Sequence, residues 1–141
     1  VKTGGKGVVT DSHMNWKIKS PFPKYSSPIL VDDLIYMALD DSFLACVEAK
    51  TGETVWKERV GGKFRACPIY VDGRLYFFSL EGVTTVLKPG RNFEVIATNR
   101  LAEDAPNDDP RRGPGFVASP AVVGKSLFLR TRQHLYRVEI D

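Results

Sequence analysis

The sequence predicts an all-β fold built from repeated four-stranded units, and three observations carry that expectation. The first is a phrase that returns along the chain. Ser26-Ser27-Pro28-Ile29-Leu30-Val31-Asp32 comes back as Ala66-Cys67-Pro68-Ile69-Tyr70-Val71-Asp72 and, more loosely, as Ala118-Ser119-Pro120-Ala121-Val122-Val123-Gly124. The step from Pro28 to Pro68 is 40 residues and that from Pro68 to Pro120 is 52. Periods of about 40–50 residues mark repeat architectures. The second is a further phrase at a fixed offset from the first: Leu34-Ile35-Tyr36, Arg74-Leu75-Tyr76 and Ser126-Leu127-Phe128. The third is apolar–polar alternation, the period of a pleated strand, with no stretch that reads as helical.

Residues 1–14 read as a lead, its Gly- and Lys-rich start at Val1 to Gly7 expected to fray, and residues 15–141 as the folded unit. Asn15 to Ser20 is expected to be a strand, because Trp16-Lys17-Ile18-Lys19 returns 40 residues later as Trp56-Lys57-Glu58-Arg59. The first unit (26–60) offers strands at Pro28 to Val31, Leu34 to Leu39, Phe43 to Glu48 and Thr54 to Val60. Its turns are Asp32-Asp33, Asp40-Asp41-Ser42 and Lys50-Thr51-Gly52-Glu53, residue types that favour tight backbone reversal. The second unit (64–100) repeats the plan with Cys67 to Val71, Arg74 to Ser79, Val83 to Lys88 and Phe93 to Asn99. Leu101 to Pro114 supplies the extra residues before the third unit and is expected to be an exposed loop. The third unit (116–141) offers Val117 to Val122, Ser126 to Thr131 and His134 to Glu139, one strand short of four. The Asn15–Ser20 strand makes up the number, so three sheets are complete with their seam displaced by one strand.

Bulk properties exclude several classes. The 141 residues are 43% hydrophobic and 26% charged, enough for a domain with a core. The net charge of +3 comes from 20 basic and 17 acidic residues that are well mixed, which argues against a nucleic-acid partner. No run of eighteen apolar residues exists, so no membrane span is expected. Val1 rather than Met opens the sequence and no apolar leader follows, so it reads as processed or cut from something longer.

Four-stranded units of this length suggest β-propeller blades. Cys46-Val47-Glu48-Ala49-Lys50-Thr51-Gly52-Glu53-Thr54-Val55-Trp56 resembles the tryptophan-docking phrase of the pyrroloquinoline-quinone (PQQ)-type propeller repeat, A-x-D-x-x-T-G-x-x-x-W. Asp72-Gly73-Arg74-Leu75-Tyr76 is similar to its D-G-x-V-Y hairpin, and Ser26-Ser27-Pro28 and Ala118-Ser119-Pro120 to its S-x-P opening. The resemblance covers 15–141. It implies that Thr51-Gly52 makes a turn and that Trp56, and by the period Trp16, dock against a neighbouring blade. In the second unit Ile96 stands where the indole would be and Lys88-Pro89-Gly90-Arg91 replaces Thr-Gly, so a weaker contact is expected there. The family's quinone-dependent dehydrogenases carry adjacent cysteines, an indole on the quinone and acidic calcium ligands. Here no Cys-Cys pair occurs, so no catalytic residue, cofactor or metal is expected and the chain reads as a non-catalytic scaffold. The resemblance also implies an extracytoplasmic address, periplasmic or secreted.

Propellers protect their sheet edges by closing into rings of about four to eight blades, which three cannot do. The expected solution is a homodimer, in which Asn15–Ser20 of one chain completes the last blade of another and two chains give six blades. The alternative is a C-terminal piece of a longer propeller, either a PQQ-dependent dehydrogenase or a ligand- or glycan-binding protein.

A ligand would meet the channel mouth, where the segments leading into the inner strands carry Tyr25, Phe64 and Phe116, with Lys24 and Arg65 beside two of them. The competing reading packs these aromatics between blades. His13 and His134 lack partners at metal-ligand spacing. Asp32-Asp33 and Asp40-Asp41 read as turns, Asp108-Asp109 as solvated loop, and Arg111-Arg112, Arg130, Arg132 and Arg137 as solvent-facing. Gly4-Gly5-Lys6-Gly7 lacks the strand and helix of a phosphate loop. Cys46 and Cys67 fall in different strand types of neighbouring units and read as free, buried thiols.

Overall fold

The computed structural model describes residues 6–20, 22–101 and 115–140. Asp108-Asp109, Arg111-Arg112, Gly4-Gly5 and nearly all of the expected 101–114 loop lie outside the described residues. Three antiparallel sheets account for the fold, each a meander in which sequence neighbours pair. The first holds β1 (Ile29–Val31), β2 (Leu34–Ala38), β3 (Phe43–Glu48) and β4 (Thr54–Arg59). The second holds β5 (Ile69–Val71), β6 (Arg74–Phe78), β7 (Val83–Leu87) and β8 (Val95–Arg100). The third has three strands, β9 (Ala121–Val123), β10 (Ser126–Arg130) and β11 (Leu135–Glu139). The expected all-β class with its four, four and three strands is the observed one.

The repeat is geometric as well as textual. Ile29 faces Tyr36, Ile69 faces Tyr76 and Ala121 faces Phe128, so the inner hairpins share one register. The pairing of the third with the fourth strand is irregular at Cys46/Val47 in the first sheet and at Val86/Leu87 in the second, equivalent places. Asp72 and Gly73 take φ of 49° and 73°, the left-handed pair that matches the twist of a two-residue hairpin.

Packing follows from the two-residue period of the pleat. In β6, Leu75 and Phe77 point toward the first sheet and join Val31, Leu34, Tyr36, Leu44, Cys46, Trp56 and Phe64. Tyr76 and Phe78 point the other way and join Val86, Phe116, Leu127 and Leu129. The middle sheet is therefore covered on both faces, and its second strand reads as a continuous apolar run. Each fully buried aromatic such as Phe77 contributes about 1.5–3 kcal/mol. A third cluster, Met37, Leu39, Ala45 and Val47, lies on the free side of the first sheet, with Ile18 packed against it.

Asn15–Ser20 is coil in the single chain: among the described residues no strand lies beside it to form a ladder, and the expected pairing is with another chain. One sequence expectation is corrected. One helical turn, α1 (Thr10–His13), occurs where no helix was expected.

Candidate interaction site

Three features of the blade boundaries and the channel mouth define the surfaces on which this molecule can act. The first is a pair of equivalent indole contacts. Trp56, 8% exposed, leaves the outer strand of the first sheet and donates its Nε1–H to the Gly90 carbonyl of the second at 3.2 Å, its ring edge-on to Phe93. The Gly90 N–H donates to Tyr36 Oη at 2.7 Å, so both backbone groups of the Pro89-Gly90 turn are held by the preceding sheet. Trp16 makes the same contact one period earlier: its Nε1–H donates to the Ala49 carbonyl at 3.0 Å. Gly52, at φ 77°, lies beneath that indole, and a Cβ there would stand 2.8 Å from Trp16 Cδ2. The coil at 15–20 thus sits where the outer strand of a preceding sheet would lie. Ile96, the third member of this series, is 47% exposed and lines a cleft of about 340 Å³ between the second and third sheets, together with Tyr76, Leu127 and Val138.

Charge seals the first boundary on its outer side. Arg91, in the turn of the second sheet, reaches back to Asp33 at 2.9 Å and also pairs with Glu48 of the first. Its pKa is raised, chiefly by the hydrogen bond to Glu48.

The second feature runs along the inner strands. The Ser27 N–H donates to Cys67 Sγ at 3.2 Å, and the Cys67 N–H donates to Ser119 Oγ at 3.1 Å. These residues precede Pro28, Pro68 and Pro120, so one repeat position links all three sheets. Burial pushes the Cys67 thiol up, but hydrogen bonds from Ser119 and Ser27 outweigh it and hold the pKa below its usual value. Cys46 contrasts with it: fully buried, its thiol is pushed up to about 11 by burial. Both cysteines are free. The expectation of two buried thiols holds for Cys46 only, since Cys67 is half-buried.

The third feature is the channel mouth, where the candidate residues part company. Tyr25 is 64% exposed, with the Arg65 guanidinium 5.1 Å from its ring centroid. Phe64 and Phe116 are 2% and 1% exposed; Phe64 belongs to the core between the first two sheets and Phe116 stacks edge-on with Phe78. Neither buried ring can touch a ligand at the rim. The reason is register. Phe64 and Phe116 align with Lys24, whereas Tyr25 aligns with Arg65 and Val117, and a shift of one residue in an extended segment reverses the side that a side chain faces. The exposed residues at the repeat position of Tyr25 are Arg65 and Val117, the latter a residue that its alignment with Tyr25 would have found.

His13 contacts Ser12 Oγ through Nδ1, and His134 lies 5.7 Å from the Tyr136 ring. Among the described residues no three His, Cys, Asp or Glu side chains gather as a metal ligand set, and no helix is long and apolar enough to cross a membrane.

No family model matches the chain. Over 106 residues, 72% of its length, it is 28% identical to the lanthanide-dependent methanol dehydrogenase of Methylacidiphilum fumariolicum (strain SolV). Its fold is similar to that of BamB from Moraxella catarrhalis, with a TM-score of 0.62 at 14% identity over 74% of the chain. The chain has the fold of β-propeller blades and is similar in sequence to a PQQ-type propeller protein. It spans 16% of the dehydrogenase and 33% of the BamB chain, so the three sheets are blades of a type found in longer propellers.

The described residues do not fit the quinone that the family's dehydrogenases hold. Cys46 and Cys67 are free and lie in different blades. Both indoles, Trp16 and Trp56, have their N–H groups committed to blade turns, so neither is presented to a flat ligand.

Proposed function

We propose that this segment is a non-catalytic propeller scaffold, its three blades closed into a six-bladed ring by a second copy. The observation that carries the reading is the equivalence of Trp16 and Trp56. The indole of Trp56 docks the first blade on the second; the indole of Trp16 docks the coil at 15–20 on the first in the same way. At the other end, among the described residues, β11 pairs with β10 on one side and with no strand on the other. On this reading a five-residue edge whose Leu135 is 70% exposed would meet the six-residue coil of a second copy, held by Trp16 at the place of an outer strand. Edge strands with unpaired backbone groups drive association unless covered. The rim pair Tyr25 and Arg65 supplies this ring's surface for a protein or small ligand at the channel mouth.

Light scattering at micromolar concentration tests the ring. The expected mass is about twice the 15.7 kDa of one chain. A monomer at that concentration overturns it.

A second reading has its own support. The 28% identity to a methanol dehydrogenase favours an arc of a longer propeller, whose other blades come from the same polypeptide. On that reading the isolated segment is monomeric or aggregates without a defined size.

A further inference from the structure

We infer that the forward side of the third blade is matched to the first blade of a second copy, and that Ser119 on one chain and Ser27 on the other form the joint at the channel. The inference rests on the ring reading above and specifies its contact. The hydrogen-bond chain along the inner strands has a direction: each blade's pre-proline amide donates to the pre-proline side chain of the next. Ser27 gives to Cys67, and Cys67 gives to Ser119. Among the described residues no acceptor meets the Ser119 N–H. The chain therefore ends on a donor whose equivalents are both satisfied across a boundary. At its beginning stands the exposed Ser27, whose hydroxyl has an acceptor lone pair to offer a preceding blade. With Ser27 of the partner subunit in line, the series runs Ser, Cys, Ser, Ser, Cys, Ser and closes on itself.

The outer charges make an independent match. At the first boundary, Asp33 and Glu48 are neutralised by Arg91 reaching back from the next blade. The equivalents of Asp33 and Glu48 in the third blade are Lys125 and Glu139, since Ala49 N–H bonds to the Asp33 carbonyl as Ile140 N–H bonds to that of Lys125. Glu139 is paired within its own blade, to Arg137 at 2.7 Å and to Ser126 Oγ at 3.1 Å. So the third blade asks for no guanidinium from its successor. The first blade offers none: one period before Arg91 stands Thr51. A blade of the second type, with its arginine, would bring that cation toward Lys125. The first blade carries Lys50 and Thr51 in that turn and no guanidinium, so it is the better-matched successor.

The test places cysteines at the joint in a Cys67→Ser background. Ser27→Cys and Ser119→Cys chains are purified separately, mixed and mildly oxidised. The expected result is a covalent dimer from the mixture and none from either variant alone. Ser27→Cys with native Cys67 calibrates the geometry by forming an intrachain bridge. As a second measurement, exchange of the Ser119 amide in the unsubstituted protein should slow at least tenfold between the dilute monomer and the dimer. A dimeric mass with no cross-link in the mixture, or with unslowed Ser119 exchange, overturns this joint while leaving the ring. A monomeric mass at micromolar concentration overturns both.

Discussion

Trp56→Ala is the substitution that most directly tests how these blades hold together. The indole is 8% exposed, touches Tyr36 at 5.9 Å and Phe93 at 5.1 Å between centroids, and donates to Gly90. Burying about 150–250 Å² of aromatic surface at about 25 cal/mol per Å² is worth about 4–6 kcal/mol. Cavity-forming replacements of large aromatics cost about 3–5 kcal/mol, and loss of the hydrogen bond adds about 1 kcal/mol. The expected loss is therefore about 4–5 kcal/mol. Ile96→Ala, at the same repeat position but half exposed, should cost about 1 kcal/mol. Urea unfolding followed by circular dichroism measures both and avoids the change in fluorescence that removing an indole brings. Where the alanine variant does not fold, Trp56→Phe should retain most of the packing and lose about 1–2 kcal/mol. Equal losses at 56 and 96 would refute the argument that the indole seals the first boundary.

Other consequences follow from the same geometry. Gly52→Ala puts a Cβ at a left-handed φ and 2.8 Å from the Trp16 ring, so it should cost about 1–2 kcal/mol for the backbone alone and shift Trp16 fluorescence to the red. In the native state Ellman's reagent should titrate one thiol near neutral pH, and Cys67→Ser should abolish the reaction, because Cys46 is buried with its pKa pushed up to about 11. Alkali should destabilise the fold. Burial raises the Tyr36 and Cys46 pKa values to about 12 and about 11, from 10.0 and 9.0. Both groups are neutral in the folded chain, so their contribution is complete below about pH 9 and is lost as pH rises through 11 and 12. Denaturant midpoints measured from pH 8 to 12 should fall over that window, and a flat profile would count against the burial of this pair.

Strand positions were legible because two levels of pattern agreed: alternation placed apolar residues on each pleat, and the 40-residue phrase placed each pleat in a unit. Strand bounds agree with the expectation to within about two residues, except that the first strand of the third unit, expected from Val117, begins at Ala121. What failed depended on neighbours. Asn15–Ser20 repeats the words of an outer strand, but a strand exists only beside a partner backbone, and alignment with Trp56 cannot supply one. Tyr25, Phe64 and Phe116 looked equivalent by residue type, yet one residue of register separates a rim side chain from two core side chains. Of the two departures in the second unit, Ile96 gives the weaker contact, being half exposed, whereas the Lys88-Pro89-Gly90-Arg91 turn is filled, because Gly90 lets both its backbone groups meet Tyr36 and Trp56. The Ser27–Cys67–Ser119 chain was written in the repeat phrase itself, immediately before each proline, but its meaning needed the distance between inner strands.

The coil at 15–20 also bears on how a ring could form without first unfolding anything. Domain exchange normally requires an element to leave its own chain before it joins another, and the cost of that opening slows assembly. Among the described residues the segment belongs to no sheet of its own chain. Ile18 packs against the buried Met37–Val47 cluster and Trp16 is bonded to Ala49, contacts that use one side of the segment and none of a strand's ladder. Pairing with the edge of β11 would use the backbone groups that those contacts leave alone. In the proposed ring the same residues would cap the first blade of their own chain and serve as the fourth strand of the partner's last blade, keeping the Trp16 contact in both states. In the ring proposed above, association would gain a ladder of hydrogen bonds and the apolar cover of Leu135, without the step that limits exchange in ordinary swapped dimers.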